Sequence, residues 1–433
     1  MQNKITTLNY DSQDMLNQLL EISDAFRVSC LLNSNDFSHD IHSKYSWIFA
    51  LGNIDYISYN EKNKYSVIED FLNRNINEWK FSYISYDLKN KFENLISNNI
   101  DNLGFYDLFL FVPKFIIKSG INGIELEINS KISSEEATNF KNILANTTPT
   151  NSNNNSTNLS FRHRITKEQY IENISKIRSD IKYGDIYEMN FCQEFYVENA
   201  AIKPIEIYKK LNEHSPAPFS AYFKENEHFI MSASPERYIQ KTDHKLISQP
   251  IKGTAKRAHT DDDTRIKNEL QSSIKERAEN IMIVDLVRND LSKIKNSKNV
   301  KVDELCEIYS FPHVHQMIST ISSEIGKNTS LLEIIESTFP MGSMTGAPKI
   351  KAMELIEKYE STKRGIFSGS VGYIDDKGDF DFNVIIRTLL YNAKNKYLSL
   401  TTGGAITYLS DAEQEYEESL LKAEAVFRVF GGN

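Results

Sequence analysis

The sequence predicts an α+β fold, and two observations carry that reading. Strand-like and helix-like segments follow one another without the regular strand–helix–strand rhythm of a doubly wound sheet. The composition, 40% hydrophobic and 25% charged over 433 residues, supplies a sizeable core for one large domain or two to three ordinary ones. Acidic residues outnumber basic ones by 59 to 50, for a formal charge of −9. Proteins that neutralise nucleic-acid phosphates carry the opposite balance, so the charge argues against a nucleic-acid partner. The opening MQNKITTLNYDSQDM lacks the basic-then-apolar profile of a signal peptide. No apolar run approaches the roughly 18 residues needed to cross a bilayer, so a cytoplasmic chain without a membrane partner is expected. Cys30, Cys192 and Cys306 are far apart, have no CxxC spacing, and read as reduced and structural.

Along the chain, VSCLLNS, YSWIFALG, DLFLFVPKFII and GIELEIN read as strands within a first region, 1–144. The stretch from Ala145 to Ser160 is nearly all Asn, Ser and Thr and cannot bury enough apolar area to order itself. It is either a linker or an expanded surface loop, and 161–433 follows it. A helix then begins at a capping box of Thr166 and Gln169. It continues through Tyr170, Ile174, Ile177 and Ile181 at helical spacing and stops at Gly184. IYEMNFCQEFYV reads as a strand. Helices are predicted over 262–289, from Pro348 to Tyr359, and from Ala412 to Phe430. SGSVGYID, FNVIIRTLLYN and YLSLTTGGAITYL read as strands between the last two.

Three features carry chemistry. Glu276 and Glu279 stand three apart on one predicted helix, and Glu415 and Glu418 repeat the spacing on the last, so each helix offers two carboxylates on one face. Oxygen-only ligands without a paired His suit a hard ion such as Mg2+. The spacing alone is also that of a solvated, ion-paired face, with Lys275, Arg277 and Lys422 at hand. Two glycine turns lie beside basic residues: FPMGSMTGAPK (339–349), with Pro348 at a helix start, and TTGGA (401–405) after a strand. Either could present backbone N–H groups to an anion, or be an ordinary turn. Finally, SASPERY (232–238) precedes QPIKGT (249–254). Burial of Lys252 beside Ile251 and Gly253 would lower its pKa and make it a usable nucleophile, and burial of Glu236 would raise its pKa and make it a proton donor. A lone lysine is otherwise most often a surface charge.

In order, SASPER, PIKGT, ERAENIMIVDLVRNDL, FPMGSMTGAPKIKAMELIE, SGSVGYI, FNVIIRT and TTGGAI followed by SDAEQEYEESLLKAEAVF resemble the chorismate-utilising family. That family includes anthranilate, aminodeoxychorismate, isochorismate and salicylate synthases. The likeness runs from about Arg164 to Phe430, with a weaker echo of the family's amino-terminal region in CLLNS and YSWIFALG. It implies two large, mostly antiparallel sheets packed as a sandwich with helices outside. By the same resemblance Glu279 and Glu418 match direct Mg2+ ligands, with Glu276 and Glu415 supporting them. Arg387 matches the arginine that holds the enolpyruvyl carboxylate of chorismate. Gly253, Thr254, Gly403 and Gly404 match backbone contacts to substrate, and Phe367 and Lys422 fall at substrate-lining positions. The lysine form PIKGT, where anthranilate-forming members read PIAGT, is the mark of members that aminate chorismate at C4. There Lys252 would attack C2 while Glu236 protonates the leaving hydroxyl. None of the three cysteines sits in a glutaminase elbow, so the resemblance implies a separate glutaminase partner that supplies ammonia.

Four positions depart from the family pattern. Gln316 stands where a histidine is usual, with His315 one residue early, and a one-residue shift in a strand points to the opposite face. Ala255 replaces an arginine, with Lys256 and Arg257 as possible substitutes. Phe367 replaces a tyrosine. Glu188 replaces a glutamine, and a carboxylate beside an anionic substrate repels it unless protonated or paired.

Overall fold

In a computed structural model of the chain, residues 3–37, 40–120, 123–147, 159–258 and 262–431 are described. Long β-branched and aromatic runs make strands that pair antiparallel throughout and form two layers. One layer runs from Lys4–Leu8 through Gly123–Ile128, Leu108–Gly120, Trp47–Tyr59, Val28–Asn33, Phe219–Glu225 and His228–Ser234. It continues through Thr388–Asn392 and Tyr397–Ile406 to Glu188–Val197. The other runs from Lys80–Ile84 through Ser370–Ile374, Phe380–Asn383, Arg237–Thr242 and Lys245–Gln249. It ends in Val314–Glu324, which also pairs with Ile251–Lys256 and Lys298–Ser310. Leu108–Gly120 joins the two: its first residues pair with Lys80–Ile84 and its last with Gly123–Ile128.

The period of two decides which side each residue faces. Cys30, Ile48 and Ala50 enter the core between the layers, together with Phe81, Tyr83, Val371 and Phe382 of the second layer. Their neighbours Leu31, Phe49 and Leu51 face outward against helices Ser12–Ser23, Ser134–Asn146 and Pro204–His214. Tyr83 and Phe223 meet edge to face across the layers, with ring centroids 5.2 Å apart. Each such buried ring stabilises the fold by roughly 1.5–3 kcal/mol. The expected sandwich with outer helices is what these layers make. All three cysteines are buried and free. No helix among the described residues is long and apolar enough to cross a membrane.

The helix after Thr166 spans Lys167–Tyr183, with the capping box in place and Gly184 left-handed at φ 99°. Three expectations need correction. The helix expected over 262–289 is two helices, Asp262–Ser272 and Ile274–Lys293, because Ser273 leaves the helix and its hydroxyl accepts from the Glu276 N–H. FNVIIRTLLYN is two strands, Phe380–Asn383 and Thr388–Asn392, broken where Arg387 turns left-handed at φ 50°. The Asn-rich stretch begins later than expected, since Ser134–Asn146 is still helical. Residues 148–158 lie outside the described residues, and so does the linker reading for them. Strands from before and after it pair edge to edge, Val28–Asn33 with Phe219–Glu225 and Lys80–Ile84 with Ser370–Ile374.

A fully buried guanidinium pins the second layer beside the chemistry. Arg237 donates to both Asp381 oxygens at 2.9 Å and to Asp40 at 2.8 and 3.0 Å. Removing it strands two carboxylates away from water. Arg237→Met is therefore expected to lower stability by about 3–5 kcal/mol, read as a fall in the urea unfolding midpoint.

Candidate active site

A β-bulge places Lys252. In the pairing of Ile251–Lys256 with Val314–Glu324, Ile251 faces Ile318 and Thr254 faces Gln316, so two residues, Lys252 and Gly253, stand against one. Bulges re-aim side chains, and this one needs Gly253 at φ 83°, a conformation other residues resist. Lys252 turns inward, its side chain only 10% exposed, and donates to Glu188 Oε1 at 3.1 Å. Glu188 is completely buried and opens the strand Glu188–Val197. The carboxylate that would have repelled an anion is thus paired. Burial alone would lower the Lys252 pKa, but Glu188, Glu279 and Glu236 outweigh it and raise it. This reverses the direction expected from sequence: burial came with carboxylates, and charge pairing prevails over desolvation.

Glu236 lies in the turn after His228–Ser234, where the Val384 N–H donates to its carbonyl at 3.0 Å. Burial pushes its carboxyl up to about 7, against the pull of the Ser343 hydroxyl, Lys252 and Arg387. Ser343 stands beside it without meeting hydrogen-bond geometry. Glu236 therefore holds a proton near neutrality, as a general acid must. Arg387 is half-buried, and its guanidinium makes no hydrogen bond or ion pair with a described residue. Burial lowers its pKa while Glu236 raises it. An unpaired arginine in such a place suits an anionic ligand.

The four helix carboxylates gather around Lys275, whose pKa burial lowers but Glu415, Glu279, Glu276 and Glu418 together raise. Its Nζ lies 3.6 Å from Glu415 and 3.9 Å from Glu279. Burial, with Glu188 and Glu276 adding repulsion, pushes Glu279 up to about 7 despite the opposing pull of Lys252 and Lys275. Burial raises Glu415 as well. Glu418 is exposed, and although its partial burial acts upward, its ion pair with Lys422 at 2.8 Å leaves it lowered. As placed, no three acidic, His or Cys groups among the described residues stand close enough to ligate one metal. The donor set nevertheless fits a hard cation. Glu279 Oε1 is buried with no hydrogen-bond partner among the described residues, and the Lys275 ammonium is the positive charge set among these carboxylates.

The glycines shape this space. A Cβ on Gly253 would lie 3.0 Å from Glu276 Oε2, and one on Gly404 would lie 3.0 Å from Glu415 Oε2. Gly403 packs against strand Glu188–Val197 so tightly that a Cβ would come 2.1 Å from the Phe191 carbonyl. Lys422 donates to the Gly403 carbonyl at 2.8 Å. Thr254 is exposed at the strand edge, and Phe367 is 3% exposed within the interlayer core. The loop 339–349 reaches the site through Gly346–Ala347, which pair with Met189 and Glu188. Its Lys349 is occupied elsewhere, on Asp290 at 2.5 Å and two carbonyls.

His315 pairs with Ala255 while Gln316 faces Thr254, so the two side chains do point apart. His315 is held by Ser310 at 2.9 Å and Asp263 at 3.1 Å. Arg257 grips the same Asp263 at 2.7 Å and holds its carboxyl down to about 2, so it does not replace the arginine lost at Ala255. The pairing of Glu188 with Lys252 was missed from sequence: 64 residues separate them, and no local pattern joins them.

The family model described as chorismate binding enzyme matches residues 36–428. The chain belongs to that family. It is 35% identical over 269 residues to aminodeoxychorismate synthase component 1 of Escherichia coli, covering 62% of this chain and 59% of that relative. A probable chloroplastic aminodeoxychorismate synthase of rice is 38% identical over 268 residues, covering 61% of this chain but 30% of the relative. The chain thus spans less than two thirds of these relatives. Anthranilate synthase component 1 of Aquifex aeolicus is 30% identical over 363 residues, covering 80% and 73%. Among solved structures, anthranilate synthase component I of Streptococcus pneumoniae superposes with a TM-score of 0.79 at 24% identity, covering 90% of this chain and 93% of that one. The menaquinone-specific isochorismate synthase of E. coli gives 0.76 at 16% identity, covering 99% and 94%. These structures share the fold.

Folding raises the Glu236 pKa from 4.5 to about 7. Its neutral form therefore favours the fold below about pH 4.5, and that contribution is lost as pH rises through about 7. In thermal melts at about pH 5 and about pH 8, Glu236→Gln is expected to shrink the stability difference by about 2 kcal/mol.

Proposed function

We propose that this chain aminates chorismate at C4, giving 4-amino-4-deoxychorismate, with ammonia supplied by a separate glutaminase. The observation that carries the reading is Lys252: a buried lysine in the PIKGT segment, 3.1 Å from Glu188, with the charges of Glu236 and Glu279 acting on it. The aminodeoxychorismate synthases among its relatives support it.

In this reading the Arg387 guanidinium binds the enolpyruvyl carboxylate, and the backbone at Gly253–Thr254 and Gly403–Gly404 contacts the ring substituents. Phe367 and Lys422 close the wall. Lys252, once it has shed a proton, attacks C2 while the C4–O bond breaks and Glu236 gives its proton to the departing hydroxyl, which leaves as water. Ammonia then bonds to C4 and the C2–N bond to Lys252 breaks. The enolpyruvyl group is untouched, which separates this product from anthranilate. Mg2+ would be held by Glu279 and Glu418, with Glu276 and Glu415 in support, and would supply positive charge for the ring carboxylate. Lys275 would move aside from Glu279 and Glu415 to admit it.

A second reading, anthranilate formation, is favoured by the longer alignment with the Aquifex relative. The product separates the two. With chorismate, Mg2+ and a high ammonium concentration, mass spectrometry is expected to find 4-amino-4-deoxychorismate. Anthranilate or isochorismate alone overturns the proposal, and no turnover with binding intact points to an inactive binding partner. Lys252→Ala is expected to abolish amination yet keep Mg2+-dependent chorismate binding, measured by calorimetry. Glu236→Gln is expected to slow turnover roughly 10²–10⁴-fold.

A further inference from the structure

Glu188 does something the reaction above leaves unassigned. Its backbone is fixed: the strand opposite approaches so closely that a Cβ on Gly346 would lie 2.2 Å from the Glu188 carbonyl. Its carboxyl is therefore held in the interior, 0% exposed, and cannot swing out to water. Oε1 accepts from Lys252, and Oε2 is buried without a hydrogen-bond partner among the described residues. Oε2 therefore keeps an acceptor site open for a proton. The donor that can deliver one is the ammonium 3.1 Å away. Lys252 must in turn lose a proton before it can attack.

We propose that Glu188 is the positioning residue of Lys252 and its proton acceptor: it holds the ammonium in place at rest and takes the proton as the amine attacks. This rests on the reading of Lys252 as the nucleophile. The proton balance closes. The pair goes from ammonium and carboxylate to amine and carboxylic acid, and the amine then bonds to C2 while Glu236 protonates the leaving hydroxyl. When ammonia bonds to C4, Lys252 leaves as a neutral amine and recovers its proton from Glu188, and the new ammonium at C4 returns its extra proton to Glu236. Of the other charged groups that act on Lys252, Glu279 comes from the helix Ile274–Lys293 and Glu236 from the turn before Arg237–Thr242. Glu418 of the helix Ala412–Phe427 feels its charge too, but among the described residues only Glu188 forms an ion pair with it.

Because the proton passes within the pair, the wild-type amination rate should be flat with pH across the range in which the pair keeps one proton. Glu188→Gln preserves volume but leaves the amine to lose its proton to solvent. Its rate should rise about tenfold per pH unit below the Lys252 pKa. A uniform loss at every pH, with the profile shape unchanged, would mean a merely structural role and would overturn the proposal. Glu188→Asp, which keeps the acid at shorter reach, should restore the flat profile at a lower rate. A second readout needs no turnover. The pH dependence of Lys252 carbamylation by cyanate, followed by peptide mass spectrometry, should shift to lower pH in Glu188→Gln, with modification more than about tenfold faster near pH 8. An unchanged midpoint overturns the pairing. If the wild-type chain fails to aminate chorismate, the reading of Lys252 as nucleophile fails instead, while the cyanate titration still decides whether Glu188 controls Lys252.

Discussion

A buried ammonium can be kept only where carboxylates offset its lost hydration, and Lys252 is kept that way. Glu188 touches it, and Glu279 and Glu236 act on it from two other elements. The surroundings follow from this arrangement. Lys275 and Lys422 bind the outer carboxylates, Glu279 and Glu236 are pushed up to about 7, and Arg387, alone among the site's cations, has no ion-pair partner among the described residues. An interior so rich in carboxylates does not admit an anion unaided. The proposed dianionic substrate would need added positive charge, which a hard cation and the Arg387 guanidinium would together supply.

The sheets provide the rigidity that this electrostatic arrangement needs. Lys252 projects from a bulge, Glu188 from the start of a strand locked by Gly346, and Gly403–Gly404 from a strand packed directly against it. Glu236 and Arg387 come from adjoining turns, linked where the Ala233 N–H donates to the Arg387 carbonyl at 3.2 Å. Glu236, the proposed general acid, is followed directly by Arg237, the buried ion-pair centre of the second layer.

Much of this was legible in the sequence. The capping box at Thr166, Gly184 and the strand alternation around Cys30 and Ala50 are local signals, and the structure keeps them. The two Glu-x-x-Glu pairs were legible as helix faces, though their meeting around Lys275 was not. What escaped was non-local or depended on one residue's backbone. Ser273 ended a helix that periodicity alone would have carried through, and Arg387 broke an apolar run that reads as one strand. The direction of the Lys252 pKa shift was misread because burial was visible in the flanking residues and its partner, 64 positions upstream, was not.

If Lys252 is the nucleophile, it forms a bond to C2 of the substrate that can be trapped. The direct measurement is to mix the chain with chorismate and Mg2+ in the absence of ammonia, quench rapidly, and map covalent mass by peptide mass spectrometry. An adduct of chorismate less water is expected on the Lys252 peptide, disappearing as 4-amino-4-deoxychorismate forms when ammonium is added. Formation of that product with no adduct on Lys252 at any time, and undiminished in Lys252→Ala, would contradict it.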